Sequence, residues 1–261
     1  MDSTELVMRP IKDHHKLQGQ AMVEYLIILP CLLFLILGAL QLSLIYQAKN
    51  TLNYATFLAA RQGALHNGKV CVGSMCSGGG MMLGLAYGLA PLYTRAEKSA
   101  NKNIYAQAVM DAMLALKLDS PTNGNVITTT SPSTAWVNQA KVSDPYGVLP
   151  KSVPNDNLLF RKEKYSNISI QDGNILKIKT KYCFKMEIPF ANRIIYSLNN
   201  TLGSFTLDSS SPTKAWTDML SYTPPTDSCK VLNGLVGSNS GWYLPLIATA
   251  SIRMQTPYIG P

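Results

Sequence analysis

Two residues near the start of the chain, Gly19 and Glu24, have the types and spacing that suit proteolytic processing followed by ion pairing. A glycine lets a protease draw the backbone into an extended or close-approach geometry that a side chain would obstruct. Cleavage after Gly19 makes Gln20 the new N-terminus, with a positive α-ammonium group, and makes Glu24 the fifth residue. A neighbouring subunit could then offer its α-ammonium to the Glu24 carboxylate, in a low-dielectric setting where such pairing matters.

The element that must position Glu24 is a long apolar run that begins at the next residue. The 24 residues between Glu24 and Lys49 carry no charge, and as a helix they would be about 36 Å long. The hydrocarbon core of a bilayer is about 30 Å thick, so this helix can cross it with some tilt. Tyr25 and Tyr46 bracket the run as aromatic anchors at the two membrane surfaces would. An unpaired carboxylate at this edge costs several kcal/mol, which favours a functional role for Glu24.

The charges before the run predict its orientation. Arg9, Lys12 and Lys16 lie upstream, and the positive-inside rule places that side in the cytoplasm. The sequence therefore predicts a single-pass membrane protein with its N-terminus inside and its large C-terminal part outside. Two alternatives are a buried helix of a soluble protein, although such helices average about 11 or 12 residues, and a cleaved secretory signal, although such signals have a shorter apolar core of about 7 to 15 residues.

The composition of the whole chain excludes two further classes of protein. Hydrophobic residues make up 46% of the sequence and charged residues only 15%, which excludes disorder throughout the chain. Only one apolar run is long enough to cross a bilayer, which excludes a polytopic transporter.

A stretch of about 45 residues that begins at Gly19 resembles a known family. The spacing from Gly19 to Glu24-Tyr25 is similar to the class IVb prepilin processing signature of the Flp/Tad pilus system. The wider string GQAMVEYLIILPCLLFLILGALQLSLIYQAKNTLNYATFLAARQGA resembles the N-terminal region of TadE-like minor pilins (pseudopilins). The segments Lys177 to Ile195 and Leu246 to Pro257 are similar to later strands of the same family.

The resemblance implies a function and a set of partners. A prepilin peptidase, itself a membrane aspartic protease, would remove residues 1–19. The mature protein would contribute to the assembly, priming or tip of a Flp/Tad-type pilus and so to adhesion or biofilm formation. Its partners would be other pilin subunits, the Tad assembly platform and inner-membrane lipid. It would lie in the bacterial inner membrane with its C-terminal domain in the periplasm, or enter the extracellular pilus. At 261 residues it is much longer than the major Flp pilins, which favours a low-copy role.

Pro30 lies inside the apolar run and is a candidate assembly residue, together with Glu24 and Tyr25. A proline removes one backbone donor and frees the carbonyl of Leu26, which kinks or softens a helix. The kink could be harmless. Alternatively, the softened segment could help the helix leave the bilayer and pack against other helices in a filament.

The predicted fold class is α+β, with a long N-terminal pilin-like helix followed by a small antiparallel sheet packed with one or two helices. We expect a cleaved leader at 1–19, a transmembrane and extended helix at 20–67, and an extracytoplasmic domain at 68–261. A stretch rich in Pro, Ser, Thr, Asn and Gly at about 118–160 predicts a loop-rich insertion with little structure of its own.

Smaller elements can also be predicted. A narrow small-residue face around Leu52, Ala55 and Ala59 would pack either on the downstream domain or on a partner helix. An amphipathic helix is expected at 95–117, with one face formed by Ile104, Ala108, Val109, Ala112, Met113 and Leu116. Asp172-Gly173 is a hairpin turn signal before a strand, a short helix is expected at 191–198, and the last strand is expected at 243–254.

The cysteines indicate an oxidising compartment. Cys31 lies in the apolar run and should be a free thiol, whereas Cys71, Cys76, Cys183 and Cys229 form an even set outside the membrane. Three connectivities are possible, of which we favour Cys71–Cys76 with Cys183–Cys229. A zinc site is disfavoured because there is no C-x-x-C pair. We expect no catalytic residues, no metal, no cofactor and no small-molecule substrate, because no nucleophile, metalloprotease or nucleotide-binding motif is complete.

The basic residues are spread along the chain, and their densest patch consists of Arg161, Lys162 and Lys164 followed by Lys177, Lys179, Lys181 and Lys185. The formal net charge is +8, and removal of 1–19 leaves it unchanged because three cations and three anions are lost together. In a strand, Lys177, Lys179, Lys181 and Lys185 share one face by their period-two spacing. This face could simply be solvated. Alternatively, it could bind DNA, acidic polysaccharide or phospholipid head groups, which makes a membrane-anchored or pilus-tip binding module the second functional class.

Overall fold

The structure is a computed structural model that describes residues 18–73, 76, 78–94, 103–123, 126–142, 152–156, 158–159, 162–165, 167–188, 191–192, 194–195, 229 and 243–260. Its elements, in chain order, are α1 (Gln18–Leu65), α2 (Met81–Tyr93), α3 (Ile104–Asn123), β1 (Ile127–Ser131), α4 (Thr134–Ala140), β2 (Lys164–Tyr165), β3 (Ile168–Ser169), α5 (Ile170–Gly173), β4 (Ile175–Lys185) and β5 (Tyr243–Arg253). Strands β1, β4 and β5 form an antiparallel sheet in the order β1-β4-β5, and β2 pairs with β3. The predicted α+β class, with a long N-terminal helix and a small antiparallel sheet, is confirmed.

Helix α1 consists of 48 residues and continues through Pro30. It ends at Leu65, two residues before the predicted end at 67. Asn67 has a φ of 58° and Gly68 a φ of 77°, and the Gly68 N–H donates to the Gly63 carbonyl at 2.9 Å. This left-handed turn with its backward hydrogen bond is a common helix stop. A side chain at Gly68 would also be obstructed, because a β-carbon there would lie 2.1 Å from the Tyr258 ring.

One face of the C-terminal half of α1 forms the centre of the core. Its buried positions recur every three or four residues, which is the spacing of one helix face. They are Gln41, Ile45, Ala48, Leu52, Ala55 and Ala59.

Helix α2 packs on this face through two glycines. A β-carbon on Gly84 would lie 3.0 Å from the Ala59 Cα, and one on Gly88 would lie 2.3 Å from the Ala55 Cα. Small residues four apart on both helices therefore let the two backbones approach closely. The sequence left open whether the small-residue face of α1 packs on the domain or on a partner helix; the structure shows that it packs on the domain.

The inner face of the sheet covers another side of α1. Leu176, Ile178, Leu246 and Ala248 are buried there. Thr56 of α1 and Thr180 of β4 share a buried hydrogen bond at 2.5 Å between their hydroxyl oxygens. Because Gln41 meets Ile188 and Gly63 lies against Leu176, β4 runs antiparallel to α1.

The predicted hairpin turn at Asp172-Gly173 is wrong. These residues lie in α5, whose first turn is capped by Ser169, the Oγ of which accepts from the Asp172 N–H at 3.1 Å. Strand β4 instead pairs with β1 and β5, which lie far from it in the sequence. The Ser169 cap turns the local Asp-Gly signal into a short helix, since Ser at an N-cap satisfies a free helix donor.

The expectation of little structure at about 118–160 is also wrong for the described residues. Helix α3 extends to Asn123, and β1 and α4 follow within this stretch. Strand β1 is an edge strand with Thr128 and Thr130 exposed, so its polar residues face solvent rather than mark a loop.

The predicted face of α3 is correct for five of its six residues. Ala108, Val109, Ala112, Met113 and Leu116 are buried, whereas Ile104, the first residue of the helix, is 53% exposed. The last strand is confirmed as β5. The part of the predicted helix at 95–102 lies outside the described residues, apart from which the prediction corresponds to α3. In the predicted helix at 191–198, residues 191–192 and 194–195 are helical and the others lie outside.

Candidate functional site

The proposed cleavage point lies at the very start of α1. The helix begins at Gln18, so the backbone of Gly19 and Gln20 belongs to its first turn. The first four N–H groups of a helix have no partner within the helix, and glycine lowers helix stability by about 1 kcal/mol relative to alanine. Opening this turn into the extended form that a protease binds therefore costs little.

Glu24 and its neighbours are exposed on an isolated chain. Tyr25 is 67% exposed and Leu26 74%, and Glu24 forms no ion pair with another residue among those described. Glu24 lies four residues after Gln20, which is about one helical turn or 6 Å along the axis. The structure thus presents the carboxylate at the end of α1, where a cation from a neighbouring chain can reach it.

The N-terminal half of α1 projects from the domain. Residues 22–36, 39 and 40 are exposed, and Leu37 and Gly38 are half-buried. This is the one helix among the described residues that is long and apolar enough to cross a membrane, and only 6% of its apolar window is buried. The projecting segment is about 28 Å long, close to the thickness of a bilayer core of about 30 Å. If α1 served only as the core helix of a protein, its apolar window would be mostly buried, whereas that window is mostly exposed.

Gln41 marks the point where α1 enters the domain. Its side chain is fully buried, and its Oε1 accepts from the Ile188 N–H at 3.1 Å. Its Nε2 has no hydrogen-bond partner among the described residues. Pro30 and Gly38 both precede this point, and a β-carbon on Gly38 would touch nothing within 4 Å. No packing against the domain therefore restrains Gly38.

Lys49, the first cation after the apolar run, is held inside the domain. It is only 5% exposed, and its Nζ donates to the Ile247 carbonyl of β5. In the sequence, Lys49 marks only the end of the apolar run. Its spacing, four residues after Ile45 and three before Leu52, was the signal that it lies on the side of α1 that faces the domain.

The C-terminal segment of the chain holds the C-terminal end of α1 through hydrogen bonds. Thr256 Oγ1 accepts from the Asn67 N–H at 3.0 Å and donates to the Ala64 carbonyl at 2.9 Å. The Asn67 carbonyl accepts from the Ile259 N–H at 3.0 Å. Tyr258 is buried beside this turn, and its burial raises the pKa of its phenol, an effect partly offset by a hydrogen bond to Thr129. Helix α1 is thus held at both ends of its C-terminal half.

The four lysines lie on the outer face of the sheet, on its central strand rather than on a hairpin. Lys177, Lys179 and Lys185 are exposed and Lys181 is half-buried, while the intervening residues 176, 178 and 180 are buried. Strands β1, β4 and β5 contain no Asp or Glu. Beyond β4, the Oε1 of Glu187 lies 3.8 Å from the Nζ of Lys185. Arg253, which no sequence pattern singled out, is exposed at the end of β5 opposite Ile175.

Both favoured disulfides are present, Cys71–Cys76 and Cys183–Cys229, and Cys31 is free and exposed. The first closes the loop that follows α1, and the second ties β4 to Cys229. Within the described ranges, no group of three His, Cys, Asp or Glu side chains could hold a metal ion.

Comparison with known proteins gives one finding, which concerns α1. Residues 19–61 match a family described as TadE-like protein. The matched segment includes Gly19, Gln20, Glu24, Tyr25 and Pro30, and it ends in the part of α1 that packs on the domain. No curated protein and no solved structure matches the chain.

Proposed function

On the premise that residues 19–61 are TadE-like, we propose that this protein is a membrane-anchored minor pilin (pseudopilin) of a Flp/Tad-type pilus. It acts in assembly, priming or at the tip of the pilus, and it has a structural rather than an enzymatic role. Its partners are other pilin subunits, the Tad assembly platform and lipid of the inner membrane. Adhesion and biofilm formation follow from the pilus.

The observation that carries this proposal is the division of α1 at Gln41. The exposed half, 22–40, is a free apolar rod, and the other half is packed into a folded domain. A rod of this kind can lie in lipid or among the helices of neighbouring subunits, because both surroundings are apolar. The domain does not need to unfold or rearrange when the rod moves from lipid to the helices of neighbouring subunits.

Processing would prepare the rod for that exchange. We propose that 1–19 is a leader removed by a prepilin peptidase, that 20–67 is the membrane and extended helix, and that 68–261 is an extracytoplasmic domain. Cleavage after Gly19 creates a cation at Gln20 that can pair with Glu24 of an adjacent chain. The pairing is favoured among packed helices because a charge in a low-dielectric setting is costly unless it has a partner. Pro30 softens the free half of the rod and so eases its repacking.

The orientation is proposed to be N-terminus inside and domain outside. The two disulfides support an oxidising compartment such as the periplasm. The chain would stay in the inner membrane until it enters a pilus.

The experiment that tests assembly is the substitution Glu24→Ala in a cell with a complete Tad system. We expect loss of pilus assembly or of co-purification with other pilins, while the chain remains in the membrane fraction. Asp111→Ala, which removes an exposed carboxylate from α3, is the matched control and should assemble normally. Unchanged assembly of Glu24→Ala would mean that the helix is only an anchor.

A second candidate function rests on the lysine face of the sheet. Three exposed lysines and the half-buried Lys181 follow one strand of a sheet whose three strands hold no acid. Alternate residues of a strand are about 6.6 Å apart, so Lys177, Lys179 and Lys181 form a regular row of cations, which the buried Cys183 separates from Lys185. It supports a binding module for acidic polysaccharide or DNA, carried on the membrane or at a pilus tip.

A further inference from the structure

Beyond Leu40 the exposed residues of α1 lie on the side opposite the domain, whereas the projecting half before them is exposed on every side. Positions that alternate in spacing between three and four residues trace one helix face along both parts, and a face of this kind can serve as a coiled-coil seam. They are Met22, Tyr25, Leu29, Leu32, Ile36, Ala39, Ser43, Tyr46, Asn50, Asn53 and Phe57. All are exposed except Asn53, which is half-buried. We call these residues the outer seam.

Lipid explains the exposure of the outer seam only in the projecting half of α1. Phe57 lies 17 residues beyond Leu40, or about 25 Å further along the helix axis. It is nevertheless 46% exposed, and Tyr54, which flanks the seam, is 60% exposed. Aromatic side chains left in water at this distance from the membrane indicate a surface that another molecule covers. The seam ends here, because Ala60 and Ala64 are buried in the domain.

We propose that the outer seam is a dimer interface, at which α1 of a second copy of this chain packs parallel and in register. This inference rests on the proposed membrane anchor, but not on cleavage of the leader or on entry into a pilus. Two copies anchored in one membrane have their α1 helices pointing the same way, so their pairing must be parallel. A two-fold axis along the membrane normal then places each seam residue opposite itself.

Two asparagines favour a second copy over an unrelated partner. In a parallel pair in register, Asn50 faces Asn50 and Asn53 faces Asn53. A carboxamide is both a donor and an acceptor, so each amide can hydrogen-bond to its own copy. Asparagine at a core position of a coiled coil is known to fix register and strand number. Neither Asn50 nor Asn53 uses its side chain in a hydrogen bond to another residue among those described.

The geometry and the size of the seam also suit a dimer. The domain covers the face that includes Gln41, Ala48 and Ala55, so the two domains would lie on opposite outer sides of the helix pair. A strip about 53 Å long and about 10 Å wide gives roughly 500 Å² on each helix. The total of about 1,000 Å² reaches the lower bound for a specific interface. Glu24 lies off the seam, two residues after Met22, and stays available for pilin pairing.

Disulfide trapping in membranes tests the pair. Asn50→Cys and Phe57→Cys are each made in the full-length chain with Cys31→Ala, because Cys31 is a free thiol. Two copies with different tags are co-expressed and mildly oxidised. We expect a product of twice the chain's mass that contains both tags. Thr51→Cys is the matched control, since it lies at the same depth but about 100° around the helix. It should cross-link at least roughly tenfold less, because a disulfide needs Cα atoms within about 7 Å.

The outcomes separate this inference from the proposed function. A chain that is not retained in the membrane would overturn both the anchor and the pair. If the chain is retained but Asn50→Cys cross-links no better than Thr51→Cys, or cross-links only to a different protein, the pair is wrong and the anchor stands. Cross-linking of Asn50→Cys to Phe57→Cys in preference to itself would indicate a staggered arrangement and would also overturn the pair. Strong Asn50→Cys cross-linking in a chain that keeps its leader supports the pair while contradicting the processing.

Discussion

Gly88 of α2 lies so close to Ala55 of α1 that a β-carbon on the glycine would stand 2.3 Å from the Ala55 Cα. The contact joins the helix that bears the membrane segment to the first helix of the domain. Gly88→Ala should therefore destabilise the full chain by about 1–3 kcal/mol, because the two backbones must separate. For a chain of this size that corresponds to a fall in Tm of roughly 2–12 °C, measurable by thermal unfolding in detergent. Gly38→Ala, where a β-carbon meets nothing within 4 Å, should leave Tm unchanged; equal Tm values for both variants would contradict this packing.

The turn after α1 depends on the hydroxyl of Thr256. In Thr256→Val, the Asn67 N–H loses its acceptor, and the Ala64 carbonyl loses the hydrogen bond that the Thr256 hydroxyl donates. We expect a loss of about 1–3 kcal/mol in the free energy of unfolding and faster hydrogen exchange at the Asn67 amide. Thr249→Val makes the same chemical change on the outer face of the sheet and should alter stability by no more than about 0.5 kcal/mol. Slow exchange at Asn67 in Thr256→Val would show that the hydroxyl does not hold this turn.

Tyr258 should make the protein less stable at high pH. Burial raises the pKa of its phenol above the ordinary value of 10.0. Below pH 10 the phenol is protonated in both the folded and the unfolded chain, so its contribution is fully present. As the pH rises through 10 the unfolded chain loses the proton first, and stability is lost until the pH exceeds the raised pKa.

The measurement is Tm of the full chain against pH from about 8 to 11.5, compared with Tyr258→Phe. The variant should lose less Tm over the alkaline range than the unsubstituted protein, although it also loses the hydrogen bond to Thr129. Tyr87→Phe, at a tyrosine that is 40% exposed, controls for the loss of a phenol. If Tyr258→Phe and the unsubstituted protein fall equally with pH, the buried phenol does not carry the effect.

The lysine face should bind anionic polymers if the second candidate function holds. Lys177→Gln combined with Lys179→Gln should elute from immobilised heparin at lower salt than the unsubstituted protein. On DNA, each phosphate contact that is lost should lower the slope of log K against log salt by about 1. Lys69→Gln with Lys164→Gln removes the same charge from exposed sites outside the sheet face. Equal elution of the two double variants would show that only net charge matters.

The parts of the fold that the sequence predicts are those with a strong local period. Helix α1 was foreseen to within two residues at each end, because the apolar run and the residues that stop the helix act locally. The buried face of α3 was foreseen for the same reason. Strand β4 alternates from Ile175 to Thr180, with Lys177 and Lys179 outside and Ile178 inside, as the sequence predicts, but the alternation ends at Lys181, and Cys183 on the lysine face is buried.

The parts that failed depend on contacts between distant residues. The Asp172-Gly173 pair looks like a hairpin turn, but Ser169 caps it as a helix and β4 pairs with a strand that begins only at Tyr243. The polar strand β1 resembles a loop until its place at the sheet edge is known. At the candidate site, the residues of the processing signature could be named from their spacing. The point at which α1 leaves the domain could not, because it depends on the contact of Gln41 with Ile188.

The most direct test of the central claim is the intact mass and N-terminal sequence of the chain purified from membranes that contain a working prepilin peptidase. The account predicts a polypeptide that begins at Gln20, and a Gly19→Val variant that keeps its leader. A chain that begins at Met1, or at any residue other than Gln20, would contradict the account.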